Sequence, residues 1–230
     1  MALLQIDGLQ KGFVGPDGSR HVVVDVPRFE LGEGAAVGLA GPSGSGKTTF
    51  LHLVAGILAP DAGHIRIDGT DVAGLGEHER DRFRARHVGY IFQTFNLLQG
   101  FTCLENVLLG MSFGHGIDRG RAEALLRRMG LGERLHHFPR QLSTGQQQRV
   151  AVARAMAGKP RLVLADEPTG NLDPRHAHEA LDLIREACAE NGSALLLVSH
   201  DRDILARFGT VASLADINRA SRAAGMGGVA

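Results

Sequence analysis

The sequence predicts an α/β fold: a mainly parallel sheet, an N-terminal antiparallel β layer and an inserted α-helical subdomain. Three observations lead there. Short apolar runs at residues 35–40, 162–165 and 194–199 alternate with helical stretches, and the first runs straight into a glycine-rich loop. Residues 22–26 read as a strand, and residues 64–67 alternate polar and apolar before the Asp68-Gly69 turn, so both join the antiparallel layer. From about residue 101 to residue 157 strand signals fade and helical periodicity dominates.

Each element follows from local pattern. After the strand at 35–40, residues 47–58 read as a helix because Leu51, Val54 and Leu58 fall on one face. Residues 88–92 form a further short strand. The helical insert, about residues 94–158, carries its clearest periodicity at 121–129 and 146–157. Residues 175–190 supply the helix between the last two apolar strands. Residues 1–217 are expected to form one domain. The chain after Asp216 is rich in Ala, Gly and Arg, so residues 218–230 are expected to be a flexible tail.

Composition narrows the functional classes. Twenty-five basic and 25 acidic residues give a formal net charge of zero, so no global charge points to nucleic acid. Apolar runs such as Ala194-Leu195-Leu196-Leu197-Val198 are far below the roughly 18 residues of a membrane span. The first residues lack a basic stretch ahead of an apolar one, so no secretory signal is expected. Cys103 and Cys188 lack metal-ligand spacing and read as reduced packing thiols. Only three of the basic residues are lysines: Lys11, Lys47 and Lys159. Lys47 falls where a compact ammonium is needed and a planar guanidinium does not fit.

Lys47 belongs to Gly41-Pro42-Ser43-Gly44-Ser45-Gly46-Lys47-Thr48, which matches G-x-x-x-x-G-K-[ST] at every fixed position. The glycines let the backbone curl so that successive N–H groups face phosphate oxygens, and the following helix adds its positive end. Lys47 can reach the β- and γ-phosphates, and the Thr48 hydroxyl can ligate Mg²⁺; Thr49 follows in the same first turn. The strand at 162–165 ends in Asp166-Glu167. Carboxylates at the end of a parallel strand lie where ligands bind. Asp166 can hold Mg²⁺, and Glu167 can orient and deprotonate a water. Pro168 follows, which weakens the bland reading of these two as a helix cap.

Leu142-Ser143-Thr144-Gly145-Gln146 resembles the LSGGQ signature of the ATP-binding-cassette (ABC) ATPases, and the resemblance covers about residues 1–215. It implies a P-loop NTPase core and an ATP-hydrolysing subunit of a transporter, with the motifs in the family's order. By that resemblance Phe13 stands where an aromatic stacks on adenine, although tyrosine is commoner there. Gln93 matches the Q-loop residue that senses Mg²⁺ and the γ-phosphate. Ser143, Gly145 and Gln146 match the segment that grips ATP held by a second copy. Asp173, in Asn171-Leu172-Asp173, matches the D-loop at the dimer seam, and His200 the switch histidine at the γ-phosphate. Read alone, Phe13 is a packing residue and Gln93 and His200 are uninformative; joint order and spacing raise them. His52, His64, His136, His137, His176 and His178 match nothing and read as surface or packing residues.

The resemblance departs in one place, where Thr144 replaces the usual glycine. It further implies ATP and Mg²⁺ as ligands, a head-to-tail dimer of two copies, and a separate integral-membrane permease subunit. The chain would then sit on the cytoplasmic face of the cell membrane. The apolar Thr94-Phe95-Asn96-Leu97-Leu98 is a candidate docking surface for that partner, or packs inside the insert. Within the family, residues 91–98 and 164–173 are most similar to the branch serving lipoprotein release and macrolide-type efflux. Alternatives are a membrane complex that controls cell-wall hydrolysis, a soluble ABC protein acting on ribosomes or DNA, and a small-molecule kinase.

Overall fold

The computed structural model describes residues 1–220. The first elements are β1 (Ala2–Val14), β2 (Arg20–Gly32), β3 (Ala36–Ala40), α1 (Lys47–Val54), β4 (Ala62–Ile67), β5 (Thr70–Asp71) and α2 (Glu77–His87). There follow β6 (Val88–Ile91), α3 (Cys103–Ser112), α4 (Arg119–Arg128), α5 (Thr144–Met156), β7 (Leu162–Asp166) and α6 (Pro174–Asn191). The chain closes with β8 (Ala194–Ser199), α7 (Arg202–Leu205), β9 (Val211–Ser213) and α8 (Leu214–Ile217). Two compact units result, Met1–Asp81 with the chain from Val198 onward, and Arg82–Leu197.

In the first unit the antiparallel sheet has the order β2-β1-β4-β5. Alternation sends Leu4, Ile6 and Leu9 of β1 inward, all fully buried, with Ile6 paired to Phe29 on one side and Ile65 on the other. The β1–β4 register slips between Asp7 and Gln10, where Gly8 has φ +60°. Gly63 of β4 crosses that slip so closely that a Cβ would lie 2.3 Å from the Gly8 carbonyl oxygen. β3 pairs with β9 in parallel and leads into the glycine-rich loop. α1 stops at Val54, short of the expected residue 58, because Gly56 turns the chain with φ +67°.

In the second unit β6 and β7 pair in parallel, and β8 lies beside β7. β7 and β8 are buried along their whole length, which explains their unbroken apolar sequence. The insert holds no strand among the described residues between β6 and β7, in line with the sequence reading. Its helices start on polar caps: Thr102 with Glu105, Asp118, and Ser143 with Gln146. α3 packs on α5 through Gly110, where a Cβ would stand 2.6 Å from the Arg154 carbonyl oxygen.

Of the apolar side chains after Gln93, Phe95 and Leu97 are buried and Leu98 stays exposed, so packing inside the insert, one of the two expected roles, accounts for most of them. One expectation changes. Asn218, read as the first residue of the tail, is fully buried. Its side-chain oxygen accepts from the Asp25 N–H at 2.8 Å, and its nitrogen donates to Val23 O at 3.0 Å and Ser45 O at 3.5 Å. The rest of the expected tail, residues 221–230, lies outside the described residues.

Candidate functional site

The glycine-rich loop is shaped by its neighbours in the first unit. Gly44 and Gly46 take φ +78° and +91°, conformations that side-chain-bearing residues avoid. Gly46 also presses on β2, so that a Cβ there would meet Val23 O at 3.0 Å. Gly46 is the N-cap of α1, which aims the helix's free N–H groups into the loop. Lys47, 7% exposed, donates from Nζ to Gly41 O at 2.7 Å and Pro42 O at 3.0 Å. Its ammonium is thus folded back over the loop. Pro42, Ser43 and Thr48 are exposed, whereas Gly41, Ser45 and Thr49 are half-buried. Near the end of β1, Phe13 is 43% exposed, and the Lys11 ammonium sits 5.8 Å from its ring centroid. His200 is exposed just after β8 and before Asp201, which caps α7.

The second unit supplies the carboxylates. Asp166 and Glu167 are 6% and 7% exposed at the end of β7. Glu167 has φ +45°, a left-handed conformation costly for a residue with a side chain. Strain of that kind persists where surrounding bonds enforce it, and here the Glu167 carbonyl accepts from Gly170 N at 3.1 Å. Tyr90, on the neighbouring strand, lies beside Asp166. Burial first, then the Asp166 charge and its hydrogen bond, push the Tyr90 phenol upward, so it stays protonated.

Gln93 is exposed, and its backbone oxygen accepts from Asn171 Nδ2 at 2.7 Å. The Gln93 amide nitrogen lies 3.5 Å from where a Cβ on Gly170 would be. The segment after it is held from α5: Arg154 donates to Phe95 O and Asn96 O, both at 2.6 Å. Those two residues have φ +60° and +50°. Burial lowers the pKa of Arg154.

The Ser143 hydroxyl caps α5 by accepting from Gln146 N at 3.3 Å, and the Gln146 side chain returns a bond to Ser143 N at 3.1 Å. Thr144 is then the first helical residue, a position where a β-branched side chain meets no preceding turn. Gly145 follows, with the His176 ring 3.9 Å from its would-be Cβ. Ser143, Gly145, Arg149, His176 and Glu179 line one cleft. Asp173 caps α6 and bonds His176 Nδ1 at 2.5 Å; that bond is the first cause of its lowered pKa. His176, read from sequence as a surface or packing residue, therefore stands between Asp173 and Gly145.

The structure thus groups the predicted residues in three places: the loop, Phe13 and His200 in the first unit; Gln93, Asp166 and Glu167 in the second; and Ser143, Gly145, Gln146 and Asp173 around one cleft of the second. Sequence reasoning passed over Tyr90, Arg154, Asn171 and His176 as individuals. Thr48, Gln93 and Asp166 offer oxygen donors, which suit Mg²⁺. Among the described residues no cluster of three or more His, Cys, Asp and Glu forms a metal cage. That donor set fits a cation held mostly by phosphate oxygens and water.

Comparison with known proteins adds the following. Residues 24–170 match the family described as ABC transporter. The chain is 44% identical over 211 residues to the lipoprotein-releasing system ATP-binding protein LolD 2 of Rhodospirillum rubrum, covering 90% of this chain and 91% of that one. It is 42% identical over 214 residues to the macrolide export ATP-binding/permease protein MacB of Syntrophobacter fumaroxidans, covering 89% of this chain and 29% of that protein. Among solved structures, the dimeric post-hydrolysis state of the ATP-binding cassette MJ0796 bound to ADP and Pi superimposes with a TM-score of 0.83. It is 31% identical, over 91% of this chain and 93% of the other.

Proposed function

The chain belongs to the ABC transporter family and is an ATP-hydrolysing cassette, and from that premise we propose that it powers a membrane partner by closing, as a pair, around two Mg-ATP. The observation that supports this best is the N-terminus of α5, whose capping residues Ser143 and Gln146 line a cleft together with His176, the residue that bonds Asp173. Donors arranged this way suit an anion brought from outside the chain.

Each ATP binds Gly41 to Thr49 of one copy, with its base on Phe13, and meets Ser143, Gly145 and Gln146 of the other. Lys47 leaves the carbonyls of Gly41 and Pro42 for the β- and γ-phosphates. Thr48, Gln93 and Asp166 would hold Mg²⁺, which would supply charge neutralisation at the phosphates. Glu167 takes the proton of the attacking water, and His200 holds the γ-phosphate in line. Catalysis of this kind is positioning plus charge stabilisation. Because the γ-phosphate bridges the two copies, its loss reopens them.

Among the described residues no helix is long and apolar enough to cross a membrane. On the transporter reading the path through the bilayer belongs to a permease partner, with this chain working at its cytoplasmic face, and the likeness to an ATP-binding/permease protein supports that assignment. Leu98 and Phe101, both 42% exposed, are the apolar contacts left for it after Phe95 and Leu97 turn inward. The likeness to proteins named for lipoprotein release and macrolide export supports extrusion as the work done.

Glu167→Gln tests the assignment. It should cut ATP turnover by about 10²–10⁴-fold while ATP binding persists, as loss of a general base does. Steady-state phosphate release and equilibrium ATP binding on the same preparation decide it, and unchanged turnover overturns the role of Glu167.

A further inference from the structure

We propose that Asp61 is a positioning residue for nucleobase recognition: it fixes the end of β1 so that Phe13 presents one ring face to the base. This rests on the reading of Phe13 as the base platform given above. The last β1–β4 pair is Gln10 with Ala62, so β1 runs on past the end of β4 joined only to β2. Gly12 N–H points to the side that β4 has vacated. A backbone donor left without a strand needs another acceptor, and Asp61 Oδ2 takes it at 2.8 Å.

Two further bonds fix the carboxylate, and a third fixes the Asp61 backbone. Lys11 Nζ donates to Oδ1 at 2.9 Å, Arg20 to Oδ2 at 2.6 Å, and the Asp61 N–H to Gln10 O at 2.8 Å. The Gly12 N–H, then Lys11 and Arg20, hold the Asp61 carboxyl far below the usual carboxylate range, so it stays charged. Arg20 crosses directly over Gly12, where a Cβ would meet its Nε at 2.9 Å. Lys11 does two things at once, because the ammonium that bonds Asp61 also sits 5.8 Å from the Phe13 ring centroid. One ring face is thereby occupied by a cation held in place, and the other is left for a planar base. Without Asp61 both Lys11 and the Gly12 backbone lose their anchor, and nucleotide binding must order the ring itself. Preorganisation of this kind appears in affinity for ligands that touch the platform and in nothing else.

The test compares ATP with inorganic tripolyphosphate, which lacks the base, on the full chain. Asp61→Asn should weaken ATP binding about 3–10-fold, the scale of a lost charge-assisted contact, with tripolyphosphate binding and the turnover at saturating ATP unchanged. In a Phe13→Ala background Asp61→Asn should have no further effect on ATP. Lys11→Met, which leaves Asp61 two of its donors, should give the same selective loss should Asp61→Asn not fold. Equal weakening of ATP and tripolyphosphate overturns the proposal, as does multiplication of the Asp61 and Phe13 effects. Native ATP affinity in Asp61→Asn with weakened affinity in Phe13→Ala sinks Asp61 alone. Unchanged affinity in Phe13→Ala removes the platform reading, and the role of Asp61 with it.

Discussion

Asp166 lies beside the buried phenol of Tyr90 and helps to keep it protonated. Burial and the neighbouring carboxylate keep the phenol protonated, so it retains an O–H donor. Tyr90→Phe removes this donor and almost no volume. It should lower stability by about 1.5–3 kcal/mol, the range for a hydrogen bond to a charged group, and raise the Mg²⁺ concentration needed for half-maximal turnover. Urea unfolding and an Mg²⁺ titration of ATPase rate check both. The places of Lys47 at the head of a helix and Glu167 at the end of a strand were legible in the sequence because each follows from neighbours in a short motif. Tyr90, Asn171 and Arg154 were not, because each acts on a carboxylate or a carbonyl far along the chain. No local pattern announces such a bond.

Elements with a strong apolar period were easiest to read. β8 matches its expected bounds, β7 extends its own by one residue at the C-terminal end, and α6 by one at each end. α2 escaped because its sequence is charged throughout and none of its residues is buried, so it has no apolar stripe to detect. β1 escaped because Gly8 and Gly12 interrupt its alternation, and both serve places where the sheet slips or a side chain crosses. The α3–α5 contact carries the clearest prediction at this scale. Gly110→Ala puts a methyl against the Arg154 carbonyl oxygen, an atom fixed in a helix. Overpacking of that sort costs about 1–3 kcal/mol, and it should appear as a lower denaturation midpoint with the m-value unchanged. An unaltered midpoint shows that α3 shifts freely.

At the scale of the molecule, the fold class was legible from the order of strands, loop and insert, and the comparisons bear it out. The need for a second copy was legible only through the signature segment. Ser143→Arg should leave ATP binding by the single chain intact, since replacing an N-cap residue costs only about 1 kcal/mol, and should abolish ATP-driven pairing. Size-exclusion chromatography with ATP in the Glu167→Gln background distinguishes the outcomes; a persisting dimer contradicts the assignment of α5 to the partner's phosphate. What the sequence concealed at this scale was the end of the chain. Asn218 looked like the start of a loose tail, yet its carboxamide joins β2 to the carbonyl of Ser45. Asn218 therefore sets a limit for anyone reshaping this protein. A tag, a cleavage site or a fused domain attached after Ala220 leaves those bonds in place. A cut a few residues earlier takes away a brace of the phosphate loop, and a shortened protein that no longer binds nucleotide would say nothing about the residues that touch it.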